Sequence, residues 1–246
     1  LIQRVTRCEI VTPAKLNELF SELGTRNIEF EELQDLLLRR ELVTNWQMER
    51  LIAGHTIGYY YGKYRVMYIV GAGTFARVYR AIHKDTGEMK AVKVLRSRYS
   101  NDDATMKRFM LEARTVMKLR HPNIVPIHEA EAEGHRMYMV MDFIEGQNLR
   151  DYVSIHGKLE IMAAMKIGKD IISGLDYAFE QGTTHRDMKL SNILLSSSRR
   201  ALIVDFGLAA ADDKKEGMVG SPRSIDYAGL ERASNVRRDD KRSDIF

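Results

Sequence analysis

Near Tyr64 the spacing of apolar residues changes from the helical period to the alternation of strands. That change restricts the fold to a helical segment followed by a sheet-bearing one. In the first segment, Thr12 and Pro13 place an N-cap candidate before a proline at the first helical position, and Gly24 supplies a stop. "IEFEELQDLLLRREL" carries apolar residues at helical spacing. Thr44 to Gln47 ("TNWQ") fits a capping box, with Gly54 closing the helix that follows. "EIVTPAKLNEL" (9–19) and "ELVTNWQMERL" (41–51) match at Glu, Val, Thr and the final Leu, offset by 32 residues. Two copies are too few for a solenoid. Residues 1–58 are therefore expected to form a small bundle of about three helices that docks on something. Trp46, Leu51 and Leu36 to Leu38 read as its core, and no chemistry suggests itself there. "HTIGYYYGKY" then marks a boundary.

From Tyr64, "YRVMYIV", "ARVYRAIH" and "EMKAVKVL" read as strands, the last two joined by the turn Lys84-Asp85-Thr86-Gly87. A helix is expected from about Asp102 to Leu119, with Met106, Phe109, Met110, Ala113, Val116 and Met117 in one apolar stripe. "VPIHEAEA" and "RMYMVMDF" read as two more strands. After Gly146 the pattern is helical, notably over Ile161 to Gln181. The fold class is α+β: a mainly antiparallel sheet with one helix, then a helical half, giving two lobes.

Composition excludes several classes. With 246 residues, 44% hydrophobic and 29% charged, the chain can bury a sizeable core. The net charge of +4 comes from scattered basic residues without a nucleic-acid motif, so no nucleic-acid partner is expected. A single cysteine, Cys8, excludes an internal disulfide and favours a reducing compartment. No apolar run has the length of a membrane span, so the expected location is cytoplasmic. The chain starts at Leu1 and stops inside "RSDIF", which reads as a fragment of a longer protein.

The candidate chemistry is spread over four places. "GAGTFARV" (71–78) lies on a turn between strands, where glycines let N–H groups approach a phosphate; a plain Gly-rich hairpin turn is the alternative. In "MKAVKVL", Met89, Ala91, Lys93 and Leu95 share one face, so the Lys93 ammonium lies among apolar neighbours and must pair, shed its proton or snorkel to solvent. Glu112, at the edge of the helical stripe, can supply the carboxylate. "THRDMKLSNILL" (184–195) crowds a His, an Arg, an Asp, a Lys and an Asn immediately before an apolar run. Asp187 there could accept a hydroxyl proton, a role that contributes about 10²–10⁴ in rate. Asn192, and Asp205 in "IVDFGLA", are oxygen donors of the kind Mg²⁺ takes, and Lys189 can neutralise a migrating phosphoryl group. Taken singly, Asp187 is also a turn residue, Asn192 an Asx cap, and Asp205-Phe206-Gly207 a simple turn.

Their order carries more than any one of them. A Gly-rich turn, a strand Lys, a helix Glu, then H-R-D-x-K-x-x-N and D-F-G resemble the signature set of a protein kinase, and "HPNIV" (121–125) agrees with it. Tyr64 to Phe246 thus resembles a eukaryotic-type serine/threonine protein kinase domain: N-lobe 64–141, hinge 142–146, partial C-lobe 147–246. The resemblance implies that Val70, Gly71, Ala72, Gly73, Thr74, Phe75, Ala76, Arg77 and Val78 cover the ATP phosphates. It implies that Lys93 holds the α- and β-phosphates while paired to Glu112. Asp142 to Ile144 would read adenine, with Met141 as gatekeeper, and Val78, Ala91 and Leu194 would sandwich the ring. Asp187 would be the catalytic base, Lys189 the γ-phosphate partner, and Asn192 and Asp205 the Mg²⁺ ligands. Asp244 matches the aspartate that braces the catalytic loop. Lys189 and Ser221 in "GSP" resemble the serine/threonine branch, so the implied partners are protein substrates with Ser or Thr acceptors.

The chain departs from the family in three places. Ala76 replaces the third glycine, which is expected to be tolerated. Ala228-Gly229-Leu230-Glu231 stands for A-P-E, with extra residues after Pro222. The C-lobe stops where its largest helix should begin, which is expected to expose apolar surface. Between Gly207 and Gly220 there is no Ser, Thr or Tyr, so Asp212, Asp213 or Glu216 is expected to meet Arg186 in place of a phosphate. The competing reading is an ATP-binding pseudokinase or scaffold acting through the helical module. Pseudokinases typically lose the Lys, the base or the metal Asp, and all three are present. A helical module ahead of a kinase resembles some bacterial multidomain kinases.

Overall fold

The computed structural model describes residues 1–99, 103–134, 136–206 and 244. It divides into two compact units, Leu1–Arg96 and Ser97–Phe246. Asp102, the segment 207–243 with Asp212, Asp213, Glu216, Ser221 and Glu231, and the Glu112 side chain lie outside the described residues.

The first unit begins with four helices, not three: α1 (Ile2–Arg7), α2 (Pro13–Leu23), α3 (Phe30–Arg39) and α4 (Asn45–Ile52). The extra one, α1, is six residues long and has no side-chain cap, so it leaves little periodic signal. Thr12 caps α2 by accepting from Lys15 N, and Gly24 ends it in the left-handed conformation at φ 68°. Thr44 and Gln47 form the expected reciprocal box on α4. Val5, Leu37 and Leu51 are fully buried at the centre of the bundle, with Leu16, Leu19, Leu33, Met48 and Tyr59 around them. Trp46 packs partly buried against this cluster.

Four antiparallel strands follow in sequence order, β1 (Tyr60–Tyr61), β2 (Tyr64–Ala72), β3 (Ala76–His83) and β4 (Met89–Leu95). The β3–β4 turn closes as expected: Gly87, at φ 74°, donates to His83 O, and His83 N donates to Glu88 O. Strand β4 does not bury a single face, because Ala91 through Leu95 are all buried. Val92 lies opposite Tyr79, and Tyr79 is covered edge-on by Trp46 of α4 at 5.8 Å, so the helical module screens the second face of the strand. Packing thus joins residues 1–58 to the strands, and the compact units part after Arg96 rather than near Tyr64.

The second unit contains α5 (Asp103–Val116), then the antiparallel pair β5 (Ile127–Glu133) and β6 (Arg136–Asp142). Phe109, Ala113 and Val116 supply the buried face of α5. A short strand, β7 (Gly146–Asn148), precedes the helices α6 (Leu149–His156) and α7 (Ile161–Glu180). It pairs with β8 (Ile193–Ser196), which pairs in turn with β9 (Ala201–Ile203), giving a three-stranded antiparallel sheet. Helix α7 packs on β9 through Gly174, where a Cβ would lie 2.9 Å from Ile203 Cδ1. Met162, Met165 and Ile172, on the other side of α7, are exposed.

Gly146 fixes the start of this small sheet. Its φ is 156°, and a Cβ would lie 1.9 Å from the Leu195 carbonyl oxygen. Gly146→Ala is expected to destabilise the second unit by about 3 kcal/mol, from backbone strain and the displaced β7–β8 pairing. A lowered midpoint in urea-induced unfolding checks this, and an unchanged midpoint would show that the pairing tolerates the methyl.

Candidate active site

The site in the second unit is built on a loop whose two ends are tied down. At its start, α7 ends with Gly182 at φ 73°, where Gly182 N donates to Phe179 O and Thr183 N to Ala178 O. This paired closure reverses the chain without leaving the last carbonyls unsatisfied. At its end, Leu190–Asn192 form a single 3₁₀ turn running straight into β8. The residues between carry the candidate chemistry.

His185 is completely buried. Its Nε2 lies 2.8 Å from Val204 O, and its Nδ1 accepts from Asp187 N at 3.2 Å. This pattern assigns the proton to Nε2. Burial pushes the imidazole pKa down, against the opposing pull of the Val204 carbonyl and of Asp244, Asp187 and Asp205, so the ring is neutral. Phe206 packs at 4.8 Å from it. Asp244 accepts from His185 N and Arg186 N at 2.6 and 2.7 Å, which holds Arg186 at φ 69°. A carboxylate on two backbone N–H groups is a strong, charge-assisted anchor. The brace expected of Asp244 is therefore present as a contact.

The next residues converge. Lys189 Nζ lies 2.6 Å from Asp187 Oδ2, and Asn192 Nδ2 donates to Asp187 O at 2.8 Å and to Asp187 Oδ2 at 3.2 Å. Asn192 is buried, while Asp187 and Lys189 retain about a quarter of their side-chain exposure, at 22% and 25%. Both donors meet Oδ2, so Oδ1 remains as an acceptor. Because Asn192 Nδ2 is committed to Asp187, its Oδ1 is the atom left for a cation. Val204 N donates to Asn192 O, so the loop and the strand leading to Asp205 are bonded through two links, at His185 and at Asn192. Asp205 itself sits at φ 66°, in a left-handed turn.

Beside this turn lies a small cavity walled by Val125, Met139, Met141, Ile203, Asp205 and Phe206, among others. Met141, expected as a gatekeeper, is buried on that wall. Asp142 ends β6, and its Oδ1 lies 2.7 Å from His128 Nε2. Ile144 and Leu194 are half-buried.

The remaining candidates belong to the first unit. Val70, Gly71 and Ala72 close β2, and Gly73, Thr74 and Phe75 form the turn. Ala76, Arg77 and Val78 open β3. Gly73 N donates to Ala76 O, and Arg96 N to Phe75 O. Ala76 is buried and has no left-handed backbone, so its methyl is accommodated where a glycine was expected. Lys93 is buried on β4 opposite Val78, and Ala91 is buried opposite Arg80. Glu112 lies on α5, and its pairing with Lys93 falls outside the described residues. Sequence reasoning gave no role to His185. Its only signal was its place two residues before Asp187, because the Val204 carbonyl that explains it comes 19 residues later.

A loop that presents an aspartate between a lysine and an asparagine, beside the turn at Asp205 and Phe206, fits the class of phosphoryl-transfer domains whose sequences carry H-R-D and D-F-G segments. The sequence pattern of the protein kinase domain matches residues 64–246, so the chain belongs to the protein kinase family. It is 38% identical over 150 residues to the probable serine/threonine-protein kinase PknB of Lactococcus lactis, covering 61% of this chain and 24% of that protein. It is 32% identical over 201 residues to the probable serine/threonine-protein kinase PknB of Bifidobacterium longum, covering 75% of this chain and 29% of that one. The chain thus spans about a quarter of the length of these relatives. The PknI kinase domain of Mycobacterium tuberculosis superposes with a TM-score of 0.61 at 23% identity, covering 76% of this chain and 72% of that one, a likeness of fold. Residues 1–466 of Rad53, solved in complex with AMP-PNP, superpose with a TM-score of 0.59 at 30% identity, covering 71% and 43%. The fold is the protein kinase fold, with a β-rich N-lobe and a helical C-lobe.

The buried neutral His185 makes stability pH-dependent. Its folded pKa is below the ordinary value near 6.5, so below that pH the unfolded chain binds the extra proton. Its contribution is complete above about pH 6.5 and is lost as pH falls below it, at up to about 1.4 kcal/mol per pH unit. Urea unfolding from pH 7.5 to 5.5 should show a slope that His185→Phe reduces by that amount. Equal slopes in both proteins would contradict a neutral buried imidazole.

Proposed function

We propose that this chain is a serine/threonine protein kinase, transferring the γ-phosphate of ATP to Ser or Thr hydroxyls of protein substrates with Mg²⁺. The observation that carries the reading is the Asp187 carboxylate, fixed by Lys189 and Asn192 on a loop anchored by Asp244 and His185. In this reading residues 1–58 are a helical module, 64–141 the N-lobe, 142–146 the hinge and 147–246 part of the C-lobe.

Asp187 accepts the proton of the attacking hydroxyl at Oδ1, the oxygen not occupied by its two donors. Lys189, already on Oδ2, balances negative charge at the transferring group. The donor set suits a hard cation: the Asn192 amide oxygen and the Asp205 carboxylate would hold Mg²⁺, which takes few protein ligands and completes its shell with phosphate and water. When bound, Mg²⁺-ATP supplies the phosphoryl group and neutralises charge on its phosphates. Lys93, buried on β4, would bind the α- and β-phosphates with Glu112 as its partner. Val70 to Val78 would cover the phosphates from above. Val78, Ala91 and Leu194 would enclose adenine, with Asp142 and Ile144 offering backbone groups and Met141 setting the depth behind them. The Rad53 structure, which holds AMP-PNP, supports a nucleotide in this fold.

The names of the curated relatives support the serine/threonine branch. Among the described residues no helix is long and apolar enough to cross a membrane. A cytoplasmic location is part of the proposal.

Purified protein incubated with labelled ATP, Mg²⁺ and a generic basic protein should incorporate label as phosphoserine or phosphothreonine. Asp187→Asn should reduce the rate by at least about 10²-fold, and chelating Mg²⁺ should abolish labelling. Equal label with Asp187→Asn would remove the enzyme reading.

A further inference from the structure

The 32-residue echo in the helical module is a structural repeat, and its two copies differ at one functional point. Helices α1 and α3 both end on a left-handed glutamate, Glu9 at φ 55° and Glu41 at φ 54°. In each copy the next two amides fold back onto one buried residue: Ile10 and Val11 onto Val5 O, Leu42 and Val43 onto Leu37 O. Thr12 and Thr44 then cap the following helix by accepting from Lys15 N and Gln47 N. The copies part at the third helical position. Lys15 is exposed and pairs with Glu18, whereas Gln47 is completely buried.

Gln47 is buried because it serves strand β2. Its Oε1 accepts from Thr44 N at 3.0 Å, and its Nε2 donates to Val66 O. Thr44 Oγ1 donates to Met67 O at 2.6 Å. Successive carbonyls of a regular strand point to opposite sides, so one cap reaching both requires an irregularity, and there is one. The β2–β3 register passes from Val66 opposite Ala81 to Tyr68 opposite Arg80, leaving Met67 as the extra residue of a bulge. A bulge leaves ladder groups unpaired, and the α4 cap satisfies those of this one. The same strand continues to Ala72 and into the glycine-rich turn. Losing the bulge would exchange the two faces of the strand beyond it, Tyr68 and Ile69 first, and shift the second irregularity at Val70 that leads into the turn.

We propose that Thr44 and Gln47 are positioning residues for nucleotide binding: the helical module clamps the β2 bulge and thereby aims the glycine-rich turn. The proposal rests on the reading of that turn as the cover of the ATP phosphates. Other contacts tie the module to the same strands, with Tyr60 Oη donating to Glu9 O and Arg65 Nη1 to Ile10 O. The module is thus a built-in part of the N-lobe surface rather than a tethered appendage.

The repeat supplies its own control. Thr44→Val removes a cap and the bond to Met67 O. Thr12→Val removes the equivalent cap, which touches no strand. In the full chain, Thr44→Val should raise KM for ATP by roughly five- to tenfold with a smaller change in kcat. It should also speed amide exchange over residues 68–76. Thr44→Ser, which keeps the hydroxyl, should restore both, and Thr12→Val should change neither. Gln47→Glu, which keeps the acceptor for Thr44 N and loses the donor to Val66 O, should act in the same direction as Thr44→Val. If Thr44→Val and Thr12→Val behave alike in KM and exchange, the clamp is overturned. Exchange needs no turnover, so it decides the clamp even if the unsubstituted chain fails to phosphorylate anything, an outcome that overturns the kinase reading instead.

Discussion

The buried imidazole of His185 is the contact on which the rest of the site depends. One nitrogen holds the amide of Asp187 and the other holds the carbonyl of Val204, the residue before Asp205. A single neutral ring therefore sets the distance between the segment carrying the proposed base and the segment carrying a proposed metal ligand. Neutrality matters, because a protonated ring would have no acceptor for Asp187 N and would carry an unsolvated charge. Burial pushes the pKa in the direction that keeps this arrangement. Asp244 fixes the same stretch from its backbone, so Arg186 can stay in a left-handed conformation that it would otherwise avoid.

A comparable economy holds in the first unit. The capping box on α4 would stabilise its helix in any setting, yet here the same two side chains also satisfy the irregular stretch of β2. Trp46, one residue into that helix, covers Tyr79 on β3, and Arg50 lies 4.9 Å over the indole. A short helix thereby screens a sheet face that would otherwise be wet, which explains why β4 is buried on both sides. The strand that leads to the glycine-rich turn is thus held by the helical module as well as by its sheet partners.

Much of this was legible in the residues. The caps at Thr12 and Thr44, the Gly87 turn and the stripe on α5 depend on local chemistry, which a sequence states directly. So do the contacts within the loop at 184–195, since Asp187, Lys189 and Asn192 lie within six positions and bond to one another directly. What escaped reading depends on distant partners. Gln47 read as half of a capping box, and nothing local announced that its amide would reach a strand 19 residues away. The burial of Val92 required knowing that Trp46 returns over β3. The short β7 at Gly146 was hidden because three residues carry no period. His185 carries no local sign of its task, since its bond to Val204 crosses the β8–β9 hairpin.

The central claim is that Asn192 and Asp205 serve one magnesium ion beside Asp187. A double-mutant cycle on kcat/KM tests this most directly, comparing Asn192→Ala, Asp205→Asn and the pair against the unsubstituted chain under saturating Mg²⁺. Ligands of a single ion act as a unit, so the pair should lose little more activity than the worse single variant. Losses that multiply as for independent sites would contradict the account.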